Sequence, residues 1–210
     1  MSCPICEKRK AKRYCPAKGE NICSLCCGTE REVTIDCPPD CSYLAASRQH
    51  ERREVDWSKL PYADSRIPTS FARSHGALLN HLSFAVAKYA AGNRLLVDTD
   101  AQESLRALAE AYRTLSSGIL FERPPDYSVQ RELYDALKTA IEDFRKIEAQ
   151  QVGMTATREG DIRDGLIFLT QLAALRANGR PKGRAFLDML RAQFRGAETE
   201  KPASNLVVLP

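Results

Sequence analysis

The chain has no run approaching the roughly 20 consecutive apolar residues that a transmembrane helix requires. Its opening stretch, MSCPICEKRK, carries no apolar segment behind its charges that would read as a secretory signal. The expectation is a cytoplasmic protein with no membrane partner. Also missing are a glycine-rich phosphate loop, an H-E-x-x-H helix and a G-x-S-x-G nucleophile elbow, so the common catalytic signatures give no support to an enzyme. Net charge is +4 over 210 residues, too little by itself to announce a nucleic-acid partner. The most informative absence is cysteine beyond Cys41: all 8 thiols of the chain fall in its first fifth.

Those thiols are spaced as C-x2-C (Cys3, Cys6), a single Cys15, C-x2-C-C (Cys23, Cys26, Cys27) and C-x3-C (Cys37, Cys41). A reducing compartment disfavours stable disulfides, which leaves a metal as the natural reason to cluster thiolates. Two residues between cysteines allow a tight turn that aims both sulfurs at one ion, and four sulfurs at about 2.3 Å complete a tetrahedral zinc shell. Eight thiols therefore suggest two zinc ions. The larger hydrophobes of this stretch are few, chiefly Ile5, Tyr14, Ile22, Leu25, Val33 and Ile35. A piece of about 40 residues with so small a core needs a metal or disulfides to fold. Each zinc site in finger peptides contributes about 10–16 kcal/mol of apparent folding energy, so the metal-free module is expected to be unfolded. Iron–sulfur ligation is disfavoured because ferredoxin-type spacings are absent. Thioredoxin-like chemistry is disfavoured because Cys3 lies almost at the N-terminus rather than after a strand.

The order C-P-x-C, then YC, a short polar turn, ICSLC and a final metal-binding pair resembles the B-box zinc fingers and is similar to the HIT-type fingers over residues 3–41. The resemblance implies a cross-brace, in which the first and third ligand pairs bind one zinc and the second and fourth bind the other. Carried onto this sequence it implies Cys3, Cys6, Cys23 and Cys26 at one site, with Cys15, Cys37 and Cys41 at the second. Where those families place a ligand three positions after Cys15, this chain has Lys18, whose ammonium does not coordinate. Cys27 is the replacement, because neighbouring side chains in extended backbone point to opposite sides; Cys26 and Cys27 could exchange roles, and His50 is a weaker substitute. The C-x3-C ending also departs from the B-box, which generally ends in histidines. Protein–protein contact is the function the resemblance implies.

Two basic stretches invite a nucleic-acid reading. The run KRKAKR holds Lys8, Arg9, Lys10, Lys12 and Arg13. It is read first as neutralising two negatively charged thiolate shells and second as contacting phosphates. The segment LRANGRPKGRAFLDMLRAQFR holds Arg176, Arg180, Lys182, Arg184, Arg191 and Arg195 against Asp188 alone. Its GRPK looks like the core of an AT-hook, but glycine after one helix and proline before the next is ordinary punctuation, and a turn is preferred.

Beyond Cys41 the apolar residues take up helical spacing. The fold class expected is mainly α: a small N-terminal cross-braced double-zinc finger followed by an all-α helical bundle. The finger occupies residues 1–45, a helical extension and linker with Pro61 and Pro68 occupies 46–69, the bundle 70–196 and a C-terminal tail 197–210. One helix is predicted over 70–91 from Phe71, Leu78, Leu82, Val86 and Tyr89. His75 and His81 lie along it as hydrogen-bonded packing residues. A second helix starts at a cap formed by Thr99 with Gln102 or Asp100 with Glu103 and buries Leu105, Leu108, Tyr112, Leu115 and Ile119. A third spans 128–150 with Leu133, Leu137, Ile141, Phe144 and Ile147 inward. A fourth is capped by Asp161 and buries Ile162, Leu166, Leu169, Leu172 and Leu175; a last short helix presents Phe186, Leu187, Leu190 and Phe194. Breaks such as Pro124-Pro125 exclude a long coiled coil. The acidic residues are expected on solvated helix faces, and the apolar end of the tail, NLVVLP, is expected to pack on the bundle.

Eight cysteines for two ions would leave closed shells, with no open position for catalysis. The function expected is a non-enzymatic zinc-binding scaffold that engages an unidentified protein partner. The alternatives are a nucleic-acid-binding regulator using its basic faces, and a thiol or iron–sulfur redox sensor.

Overall fold

A computed structural model of the chain describes residues 1–50, 56–65, 67–119 and 121–194. Arg195 and the 197–210 tail, on which two of the sequence expectations fall, lie outside the described residues. The chain is mainly helical, with one short antiparallel hairpin near its start. Strands β1 (Arg13–Cys15) and β2 (Glu20–Ile22) pair in the register Arg13↔Ile22, Tyr14↔Asn21, Cys15↔Glu20. Helices α1 (Ser24–Glu30) and α2 (Ser42–His50) follow. Then come α3 (Phe71–Ser74), α4 (Gly76–Gly92), α5 (Asp98–Ser116), α6 (Ser128–Val152), α7 (Glu159–Arg176) and α8 (Ala185–Gln193).

The apolar stripes read from the sequence form the bundle core. Leu82, Leu105, Leu137, Ile141, Ile162, Leu166 and Phe186 are fully buried in one cluster. Helix α5 packs along α7, α4 and α5 both pack on α6, and α8 closes the bundle against α4. Leu115 and Leu175 are half-buried outside it, and two further stripe residues are exposed. Ile119 lies beyond the end of α5 and is 62% exposed. Ile147, 43% exposed, sits in the last turns of α6, whose 25 residues outrun the 19 of α5 and the 18 of α7.

The helix predicted over 70–91 is broken at His75, whose φ of −117° and ψ of 28° separate α3 from α4. The His75 ring stacks on Phe71 at 4.4 Å, meets Ser74 Oγ through Nδ1 at 3.0 Å, and places Nε2 3.4 Å from Asp161 at the start of α7. These contacts hold the corner, and Gly76 behind it has the weakest helix preference of any residue but proline.

The start of α5 also differs from the prediction. Asp100 Oδ2 accepts from the backbone N–H of Val97 at 3.2 Å, so Val97 is the cap position and the helix begins at Asp98. Asp98 itself serves another helix. Its carboxylate accepts from the N–H groups of Phe186 (3.1 Å) and Leu187 (3.2 Å), the first turn of α8. It is 2% exposed, which overturns the expectation that the acids all lie on solvated faces. Burial pushes its pKa up to about 6 against the opposing pull of those two N–H groups.

The described part of the linker is tied to the bundle. Tyr62 donates to Glu110 of α5 at 2.8 Å, and Gln171 of α7 donates to the carbonyl oxygens of Pro61 (3.1 Å) and Tyr62 (3.2 Å).

Candidate metal centre

Local backbone builds the first cysteine pair. The amide of Cys3 donates to Arg9 O and that of Glu7 to Cys3 O, both at 2.7 Å, closing a tight turn around CPICEKR. Glu7 takes a left-handed φ of 53°, a conformation uncommon outside glycine. The turn directs backbone N–H groups of Lys8 and Arg9 at the Cys6 sulfur. With Lys8 as the largest contributor and burial opposing, they lower the Cys6 thiol to about 6. The hairpin returns the chain so that Cys23 caps α1: its Sγ accepts from Cys26 N at 3.4 Å, while Cys23 N donates to Cys3 Sγ at 3.2 Å.

The result is one group of four thiols. The Sγ atoms of Cys3, Cys6, Cys23 and Cys26 all lie within 4.8 Å of one another, with Cys6 and Cys23 at 3.9 Å. Four sulfurs at the zinc–sulfur distance would be about 3.8 Å apart along the edges of a tetrahedron. Cys3, Cys23 and Cys26 are buried. Burial, reinforced by the Cys23, Cys6 and Cys3 thiols around it, pushes Cys26 up to about 12. At Cys3 burial opposes ionisation, but N–H groups of Cys23, Cys6 and Ile5 prevail and lower the pKa. Such a group could hold a metal ion, whose binding would displace the thiol protons.

These are the residues expected for the first site, reached by a different local geometry. Cys26 and Cys27 lie in helix α1 rather than in extended backbone, so they diverge by a helical step of about 100° instead of pointing to opposite faces. Cys26 joins the four-thiol group, and Cys27 Sγ instead accepts from Arg31 Nη2 at 3.7 Å.

Among the described residues, Cys15, Cys27, Cys37 and Cys41 do not gather at the spacing of the first group. Cys15 is buried at the end of β1, and the other three are half-buried. Cys41 donates its N–H to Pro38 O at 3.1 Å, and its carbonyl starts α2 by accepting from Leu44 and Ala45. Burial raises the Cys37 thiol; a backbone N–H from Glu32 opposes this, and Cys41, Glu32 and Cys15 add repulsion. Lys18 holds the hairpin turn through its backbone N–H to Cys15 O at 3.1 Å with an exposed side chain. His50 is exposed at the end of α2.

Sequence reasoning missed Glu32. It has a φ of 52° and is only 2% exposed. Its carboxylate accepts from Arg48 at 2.8 Å and from Asn178 at 2.5 Å, and its carbonyl accepts from Lys182 N at 2.8 Å. Around it the basic loop between α7 and α8 clasps the cysteine module. Arg180 donates to Gly28 O (3.1 Å) and Arg31 O (2.5 Å), Lys182 Nζ to Thr34 O (2.9 Å), and Arg184 Nη1 to Asp36 (2.9 Å). Arg48 completes the junction with Asp188 of α8 at 2.8 Å. GRPK is thus a turn whose cations are spent inside the molecule. Glu32 and Asp36 are opposite in charge to that loop, the one sequence signal for the clasp, but nearly 150 residues separate the partners.

The run of residues 8–13 is placed differently. The Cys6 sulfur receives backbone N–H groups of Lys8 and Arg9, while the side chains of Lys8, Arg9, Lys10 and Lys12 are exposed. Arg13 lies 4.8 Å over the ring of Tyr43. In comparisons with family models, with curated proteins and with solved structures, the chain matches none.

Proposed function

We propose that the chain is a zinc-binding, non-enzymatic interaction protein, in which a cross-braced finger serves as a rigid platform displayed on a helical bundle. The observation that carries this reading is the four-thiol group of Cys3, Cys6, Cys23 and Cys26, whose Sγ atoms all lie within 4.8 Å of one another. Four thiolates would satisfy zinc completely and leave no position for a reacting water, which is the arrangement of structural rather than catalytic sites. A second zinc is proposed at Cys15, Cys27, Cys37 and Cys41. Supporting it, Cys37 has Cys41 and Cys15 as electrostatic neighbours, and the order of pairs is that of the B-box and HIT-type cross-brace. Arg31 beside Cys27 would offset the excess negative charge of that shell. Reduced, metal-ready thiols of this density belong in a reducing compartment such as the cytoplasm. The clasp at Glu32 gives the platform a fixed orientation, as a docking surface needs for a partner protein.

The test is elemental analysis of anaerobically purified protein, with and without Cys27→Ser. Two zincs per chain, reduced to one in the variant, is the expected result. Iron, or oxidised thiols without metal, would overturn the reading.

A further inference from the structure

Charge in the cysteine module is segregated. Residues 7–20 carry Lys8, Arg9, Lys10, Lys12, Arg13 and Lys18 against Glu7 and Glu20. Glu32 and Asp36 are matched to cations of the bundle. The clasp therefore takes up two of the module's acids and leaves the side chains of Lys8, Arg9, Lys10, Lys12 and Lys18 exposed.

This basic stretch is ordered by strand geometry. From residue 10 to residue 15 exposure alternates: Lys10, Lys12 and Tyr14 are exposed, while Ala11, Arg13 and Cys15 are covered. Lys12 N donates to Ile22 O at 3.1 Å, so hairpin pairing continues past β1, and Lys10 bridges back to Ser2. A period of two then sets Lys10, Lys12 and Tyr14 in one outward row about 13 Å long. Tyr14 is 58% exposed, in a module whose other aromatic, Tyr43, is covered by Arg13. No described residue makes a hydrogen bond or ion pair with the side chains of Lys8, Lys10, Lys12 or Lys18. The hairpin turn beyond the row borders a cleft of about 470 Å³ between the module and the bundle, lined by Lys18, Arg94 and Lys182 together with Asp36.

We propose that this outward hairpin face binds single-stranded nucleic acid, with the phosphate backbone along Lys10, Lys12 and Lys18 and a base stacked on Tyr14. Cations and an aromatic ring in one row are the combination that single strands use, because an unpaired base offers a π-face that a duplex keeps stacked. An acidic protein would use the cations and leave Tyr14 without a role. The surface rests on the metal-built finger of the proposed function, since the hairpin has almost no core of its own.

The experiment is fluorescence anisotropy of a labelled mixed-sequence single-stranded DNA of about 16 nucleotides, with its duplex and polyglutamate as competitors and zinc content measured on every sample. Three phosphate contacts predict a log–log salt slope of about −2. The pairs Lys10→Glu with Lys12→Glu and Lys10→Gln with Lys12→Gln should weaken binding about tenfold or more and flatten the slope by about 1.4. Tyr14→Ala should weaken it about 5- to 100-fold, with Tyr14→Phe close to wild type. Zinc-loaded protein that leaves the probe unshifted at about 50 mM salt, or binding indifferent to these substitutions, overturns the proposal. So does duplex or polyglutamate competing as well as the single strand. Protein purified without metal would defeat the finger reading, a result distinct from each of these.

Discussion

Arg180 donates to the carbonyl oxygen of Arg31 at 2.5 Å, joining residues 149 apart in sequence. Arg31 ends α1, the helix that carries Cys26 and Cys27, and Arg180 also takes Gly28 O, so a cation of the bundle caps the last turn of a thiol-bearing helix. A cap that steadies the ligands stabilises bound metal, and bound metal stabilises the docking in return, because coupling between two sites is reciprocal. Arg180→Leu should lose hydrogen bonds from a charged donor worth about 1.5–3 kcal/mol. Zinc affinity, measured at equilibrium against a chromogenic chelator, should then fall about tenfold or more. An unchanged affinity would show that the clasp and the metal site are energetically independent.

Glu32 tests the clasp from the other side. Replacing one member of a buried ion pair strands its partners, at about 3–5 kcal/mol when nothing else compensates. Here Arg48 keeps Asp188, so Glu32→Ala should cost less, about 2–3 kcal/mol. Glu32→Gln, which can still accept from Asn178, should cost about half as much. Urea unfolding of the metal-loaded protein measures both. Equal losses in the two variants would place the effect in the backbone at φ 52° rather than in the carboxylate.

These two residues also mark where the sequence stopped being legible. C-x2-C spacing is local chemistry, so the grouping of Cys3 and Cys6 with Cys23 and Cys26 could be read from residue order. The stripes through Leu105, Leu137 and Leu166 are helical periodicity, equally local. Glu32 and Asp98 are not local. Each is a carboxylate whose partners lie in a distant element, Asn178 for one and the α8 amides for the other, and no periodicity distinguishes them from solvated acids. The break at His75 has the same origin, because Asp161 and Phe71 hold the ring. Helix α1 escaped notice because seven residues with two adjacent cysteines present no apolar stripe.

Asp98 gives a pH dependence whose sign is set by burial. Its folded pKa, about 6, is above the ordinary carboxylate value of 3.8, so the native state binds its proton more tightly than the unfolded chain does. The contribution to stability is fully present below pH 3.8 and is lost as pH rises to about 6 and above. Other carboxylates and the thiols titrate too, so the measurement is the stability of wild type minus that of Asp98→Asn. That difference should fall by about 2 kcal/mol between pH 4 and pH 7. Arg48 favours the charged form and Asp188 opposes it, so Asp188→Asn should reduce the fall. A flat difference would show that the α8 amides fully offset desolvation.

Metal removal separates the two cores. The bundle's buried cluster contains no cysteine, whereas the module's consists of Cys3, Cys15, Cys23, Cys26, Ile22 and Ile35. Two isoleucines contribute about 3–6 kcal/mol by burial. That is far below the entropy of ordering about 40 residues, at about 1–2 kcal/mol per residue for the backbone alone. Chelation should therefore unfold residues 1–45 and leave the bundle standing. Helices α1 and α2 hold seven and nine residues, while α4 to α7 each hold 17 or more, so far-UV circular dichroism should retain most of its helical signal. Limited proteolysis should then cut within the cysteine module and spare α4 to α8. Leu105→Ala, in the fully buried bundle core, should instead lower the thermal midpoint of both forms, by about 2–5 kcal/mol of stability. Collapse of the whole helical signal on chelation would show that the contacts of Glu32, Arg48 and Arg180 are integral to the bundle's own stability.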